Sequence, residues 1–154
     1  MKTHEGNQLI AEFLGFTPRT DLHTEGALMM QSPRTGNESH SPCYIVNKED
    51  DVHDEFLELK YNSDWNWLMP ALDKIRNSTN WANSDYSNSN LIAYKVDIGF
   101  HSGSFYCNIH KHWWENNYPE EEFICGRRDT TTLIEVTWKA VVQFIEWYNK
   151  NKTK

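Results

Sequence analysis

The sequence predicts an α+β fold: an antiparallel sheet of about four or five strands, two long helices packed on one of its faces, and a short amino-terminal helix. Three observations lead there. From Leu133 onward the chain is apolar at helical spacing around most of its circumference. Leu91 to Phe100 alternates with a period of two. Trp67, Ala71 and Ile75 form an i, i+4, i+8 stripe with Leu68 and Leu72 beside them. At 154 residues the chain is expected to be a single domain, 1–154, with a long polar loop at about 17–42.

The elements follow in order. Leu9, Ile10, Phe13 and Leu14 recur at helical spacing, with Asn7 as the expected N-cap and Gly15 where a left-handed cap falls. Thr17 to Pro42 is polar and broken by Pro18, Gly26, Pro33 and Gly36; only Ala27–Met30 suits a short strand or helical turn there. Cys43–Asn47 and Phe56–Tyr61 read as strands, separated by a mostly acidic turn from Lys48 to Glu55. A helix is expected from about Asn66, after a Ser63-Asp64 turn, with Pro70 in its first turn or at a kink.

Asn77 to Asn90 holds five Asn and four Ser, which bond their own backbone and favour a loop. Leu91–Phe100 and Ser104–His112 form an expected hairpin through His101-Ser102-Gly103, and Phe123–Cys125 a short further strand. Thr132 and Glu135 fit a capping box for the last helix. Its polar residues, Glu135, Lys139, Gln143, Glu146 and Lys150, make one narrow stripe, so most of its surface must be covered. The sheet and the second helix are the expected covers, with a self-association surface as the alternative.

Composition bounds the function. Aromatics at 14% and charged residues at 24% describe a globular chain, and a net charge of −7 argues against direct nucleic-acid contact through a basic face. No apolar run approaches the ~18–20 residues of a membrane span, and Met1–Gly6 opens no secretory signal. A cytoplasmic address is expected, the host cytoplasm if the chain is phage-encoded. Cys43, Cys107 and Cys125 form no C-x-x-C pair and read as reduced packing residues.

Three constellations could carry chemistry. His110 and His112 share a strand face and His101 lies across the expected turn; three imidazoles, with Glu115 or water, suit zinc or copper, although two histidines on the solvent face of a strand end are commoner than a metal site. Arg127 and Arg128 precede a helix start, where amides and guanidiniums favour an anion, although Asp129 competes for them. Trp65, Trp81, Trp113, Trp114 and Tyr118 sit in or beside irregular, amide-rich segments and suit recognition of a ring or a protein surface. No catalytic nucleophile with an assignable base emerges, Glu120–Glu122 reads as a solvated run, and no motif specifies a cofactor.

Three segments also resemble a known group. Leu9-Ile10-Ala11-Glu12-Phe13-Leu14-Gly15, Trp65-x-Trp67-Leu68-Met69-Pro70 with Lys74-Ile75, and Val141-Val142-x-Phe144-Ile145-x-Trp147-Tyr148-Asn149 are similar to segments of small proteins of phage, prophage and Bacteroidetes-type genomes. The resemblance implies origin and fold and brings no catalytic or binding residues with it. The preferred reading is a non-enzymatic binding protein acting on a host or phage macromolecule, with a protein as partner and a counter-defence inhibitor as one form. The alternatives are a metal-dependent or anion-binding enzyme using the His cluster, and a structural or assembly subunit that self-associates through the last helix. If that helix organises the fold, truncation before Leu133 abolishes the cooperative thermal transition followed by circular dichroism; a truncated chain that still melts sharply contradicts it.

Overall fold

A computed structural model describes residues 1–19, 29–33, 43–46, 57–78, 80–82, 90–115 and 118–151. Its contacts divide into two compact units, Met1–Leu68 and Met69–Lys154. The class is α+β, with three helices and eight strands among the described residues. The strands form two sheets, where a single sheet was expected.

The first unit opens with α1 (Thr3–Leu14), which starts four residues before Asn7, the expected cap. The Lys2 N–H donates to Glu5 Oε2 at 2.8 Å, and this closes the helix start earlier. Asn7 is instead buried, and its amide donates to Leu59 O and to Asn62 Oδ1, both at 3.0 Å. Gly15 ends the helix as expected: its N–H donates to Glu12 O and that of Phe16 to Ala11 O, the Schellman pattern.

Strands β1 (Thr17–Arg19), β2 (Met29–Gln31), β3 (Cys43–Ile45) and β4 (Leu57–Glu58) lie in that order in the first sheet. The pairs β1–β2 and β2–β3 are antiparallel and β3–β4 is parallel. The segment read as a long loop therefore carries two strands, one of them at the expected Met29-Met30, which are both buried. Residues 20–28 and 34–42 of that loop, and the acidic turn, lie outside the described residues. From Glu58 onward Leu59 and Tyr61 are buried while Glu58 and Lys60 are exposed, and the Leu59 N–H still donates to Ile45 O at 3.1 Å, so the alternation carries past β4.

Helix α2 (Trp65–Asn77) begins one residue before the expected start, where Asp64 Oδ1 accepts the Asn66 N–H at 2.9 Å. Pro70 lies inside it on an exposed position. Of the predicted stripe Ala71 and Ile75, with Leu68 and Leu72 beside them, are fully buried, while Trp67 is half-buried.

In the second unit, β5 (Asn80–Ala82), β6 (Asn90–His101), β7 (Ser104–Glu115) and β8 (Tyr118–Asp129) pair in sequence order, each antiparallel to the next. β5 falls within the expected Asn/Ser loop, because pairing with β6 overrides the local turn bias. The β6–β7 hairpin closes as expected through Ser102 (φ 50°) and Gly103 (φ 78°), both left-handed as a two-residue primed turn requires. β8 is far longer than the expected Phe123–Cys125, since it pairs along the length of β7.

Helix α3 (Leu133–Asn151) packs on β7 and β8. Thr132 Oγ1 accepts the Glu135 N–H at 3.2 Å, so half of the predicted capping box is present. The Glu135 carboxylate turns to Lys139 Nζ at 2.7 Å instead, and the same Nζ lies 3.8 Å from Asp129. Val136, Ala140, Val141, Val142, Phe144 and Ile145 are buried. The side chains of Val96, Ile98, Cys107, Ile109 and Cys125 share the sheet face that meets them. The large apolar residues left exposed among those described are Met1, Met69, Phe100, Tyr118 and Phe123, and none belongs to α3. The expectation of both long helices on one face is thus met only in part: α3 takes that place, while α2 spans the division between the units.

Phe144 is fully buried, 5.0 Å from the Tyr94 ring in an edge contact. Phe144→Ala is expected to lower unfolding free energy by about 3–5 kcal/mol, measured by urea denaturation, because it leaves a cavity against the sheet.

Candidate functional site

One irregularity sets the chemistry of the second sheet. Ile109 pairs with Cys125 but His110 pairs with Phe123, so Ile124 is an extra residue in β8. A bulge of this kind re-aims every side chain beyond it. Before it, Cys125 and Arg127 share the α3 side with Ile109 and Cys107; past it, the even-numbered Glu122 takes that side and Glu121 and Phe123 turn to the opposite, outward face. Gly126 sits beside the bulge, where a Cβ would collide with the Asn108 side chain.

On the outward face the bulge delivers Glu121 to His110 and His112. His110 Nδ1 lies 2.7 Å from Glu121 Oε1, and His112 Nε2 lies 3.2 Å from the same oxygen. The second approach is off-line: His112 Nε2 is buried and makes no hydrogen bond. The Phe123 ring meets His110 edge-on at 5.5 Å. As they stand, no three His, Cys, Asp or Glu side chains among the described residues surround a position ready for a metal. In this trio the carboxylate oxygen itself occupies the point on which both imidazoles converge.

On the α3 side the same bulge sets Glu122 beside Lys111, 3.8 Å apart. These two, with Ile92, Tyr94, Trp147, Tyr148 and Asn151, line a cleft of about 380 Å³ between the end of α3 and the sheet. Tyr94 presents its edge to Trp147 at 6.2 Å and to Tyr148 at 6.5 Å. Burial, then the neighbouring Tyr148 and Glu122, push the Tyr94 hydroxyl above its ordinary range, so it remains a neutral donor. The cleft combines aromatic walls with a cation, a carboxylate and an amide, a lining suited to binding.

The residues singled out from sequence distribute unevenly. His110 and His112 do come together, but His101 lies six positions further along, opposite Ser104, which is about 20 Å at strand rise. Arg127 and Arg128 do not precede the helix; both lie within β8, where consecutive side chains point to opposite faces and cannot grip one anion. Arg128 is also engaged, donating to His101 O at 2.7 Å. Trp65 and Trp113 are half-buried, Lys111 Nζ lying 5.0 Å over the Trp113 ring, and Tyr118 is exposed. Trp81 and Trp114 lie in strands, and their side chains, like that of Glu115, fall outside the described residues. Sequence reasoning missed Glu121 and the cleft: Glu121 read as one of a solvated run, and Trp147 and Tyr148 as core. A bulge leaves no periodic signature by which they could have been found.

No family model, curated protein or solved structure matches the chain. No described helix is long and apolar enough to cross a membrane. All three cysteines are free.

Cys107 and Cys125 are buried, and burial pushes both thiols up to about 12. An unfolded thiol ionises near ~8.5, so above that pH the unfolded chain sheds protons that the folded one keeps. Their contribution to stability is therefore complete below about pH 8.5 and lost as pH rises towards 12. Urea melts should show stability falling by up to about 1.4 kcal/mol per pH unit for each thiol from pH 9, with a slope reduced in the Cys107→Ala/Cys125→Ala double variant.

Proposed function

We propose that this chain is a non-enzymatic binding protein that captures a macromolecule of a phage or its host, with a protein partner seated in the cleft of Tyr94, Trp147 and Tyr148. The cleft is the observation that carries the reading. At about 380 Å³ it has room for an anchoring aromatic or aliphatic side chain of a partner. Trp and Tyr are the residues that most often dominate protein interfaces, because they bring large area at little entropic cost. The Lys111–Glu122 pair at its edge offers both signs of charge for orienting a polar rim.

Other observations support the same reading. The net charge of −7 disfavours direct contact with nucleic acid. Three free cysteines suit a reducing cytoplasm, that of the host if the chain is phage-encoded. The resemblance read from three segments, to small proteins of phage, prophage and Bacteroidetes-type genomes, would accord with a role at the phage–host boundary, of which counter-defence inhibition is one form. The assembly-subunit alternative draws less support, since the apolar face of α3 is already covered within the chain.

The experiment is a comparison of immobilised full-length protein with its Trp147→Ala and Lys111→Glu variants in host lysate. The wild-type chain is expected to retain a stoichiometric protein, and each variant, folded by its circular dichroism, to lose at least ten-fold of it. Equal retention by all three chains would dismiss the cleft as the recognition site.

A further inference from the structure

We propose that the outer edge of β8 pairs antiparallel with the same edge of a second copy of this chain, about a two-fold axis between Ile124 and Cys125. Two four-stranded sheets then join into one. The proposal goes beyond the cleft reading and does not depend on it, since neither Arg127 nor Arg128 lines the cleft. It also leaves the apolar face of α3 covered within each chain.

β8 ends its sheet. It pairs with β7 on one side and, among the described residues, with no strand on the other. It is 12 residues long, and Tyr118 to Phe123 are exposed throughout. The backbone N–H and C=O groups along such an edge are a template for another strand. Tyr118 and Phe123 are also two of the large apolar residues left exposed among those described.

The charges along β8 select the occupant. Its first half carries Glu120, Glu121 and Glu122, and its second half Arg127 and Arg128. Antiparallel pairing of two copies lays the acidic half of each beside the basic half of the other, whereas parallel pairing sets like charge on like. A strand bearing both signs in this order repels an acidic strand and admits a reversed copy of itself.

Side-chain direction then selects the register, because residues directly opposite in an antiparallel pair share a face. Glu122 and Arg127 both lie on the α3 side, and Glu121 and Arg128 both lie outward, since the bulge at Ile124 falls between them. In an unbulged strand the members of each pair would point to opposite faces. Setting Glu122 opposite Arg127 of the second copy therefore also sets Glu121 opposite its Arg128, and the two-fold axis repeats both pairs. The same register brings the exposed Phe123 ring opposite Gly126 of the second copy, which has no side chain to obstruct it. The bulge residue of each copy is matched by that of the other. Sliding by two residues keeps the faces but loses the charge match: Arg128 then meets Pro119 one way, and Glu122 meets Asp129 the other. Glu120 opposite Asp129 ends the pairing.

The contacts these groups already make leave them able to pair. The Glu121 and Glu122 side chains are 46% and 55% exposed. Arg128 donates Nη2 to His101 O, one of the five N–H donors of a guanidinium, and Arg127 is exposed.

The test is sedimentation equilibrium of the untagged full chain across micromolar concentrations. A monomer–dimer equilibrium is expected, weakened at least ten-fold by Arg127→Glu/Arg128→Glu and likewise by Glu121→Arg/Glu122→Arg. An equimolar mixture of the two variants should restore a dimer at least as tight as the wild type, because every pair in the mixed dimer again sets Glu on Arg. A wild-type chain that stays monomeric, a dimer indifferent to charge reversal, or a mixture no tighter than either variant alone would overturn the proposal. Should circular dichroism show a double variant unfolded, Arg127→Glu alone, which retains the Arg128–His101 bond, decides it: a dimer as tight as the wild type counts against the pairing.

Discussion

The second unit depends on covering α3. A helix whose polar residues are confined to one narrow stripe cannot stand in water, and each fully buried Val, Ile or Phe contributes about 1.5–3 kcal/mol relative to exposure. The β6–β8 sheet supplies the cover along β7 and β8. The same burial holds Cys107 and Cys125 as un-ionised thiols and sets the Tyr94 ring against Phe144. Lys139, reaching both Asp129 and Glu135, ties the end of β8 to the first turns of the helix.

Within that frame, the bulge at Ile124 sets which carboxylate stands on each face of one sheet. It sends Glu122 towards Lys111 and the cleft, and Glu121 towards His110 and His112. Glu121 and Glu122 are adjacent in the chain yet serve opposite surfaces, as strand geometry requires. Because the bulge absorbs Ile124, the regular pairing resumes beyond it, with Glu122 beside Lys111 at the cleft and Glu121 beside His110 and His112 on the other face.

Much of the fold was legible because its signals are local. The α2 stripe, the Gly15 cap, the Ser102-Gly103 turn and the Thr132 cap each depend on residues within a turn or two of one another. The expectations that failed needed information from elsewhere. Asn7 looked like a cap because the competing Lys2–Glu5 closure is itself weakly marked. The Asn/Ser segment hid β5 because only the edge of β6 makes it a strand. Arg127 and Arg128 looked like a connection because the extent of β8 is set by the length of β7.

By itself the amino-acid order determined the class, the three helices, the central hairpin and the need to enclose the carboxyl-terminal helix, all of which follow from periodicity and end signals along the chain. Only the tertiary structure decided that the strands separate into two sheets, that His101 stands apart from His110 and His112, and that Glu121 joins them. Those outcomes depend on strand register and on one bulge, and register is an agreement between segments that neither strand encodes alone.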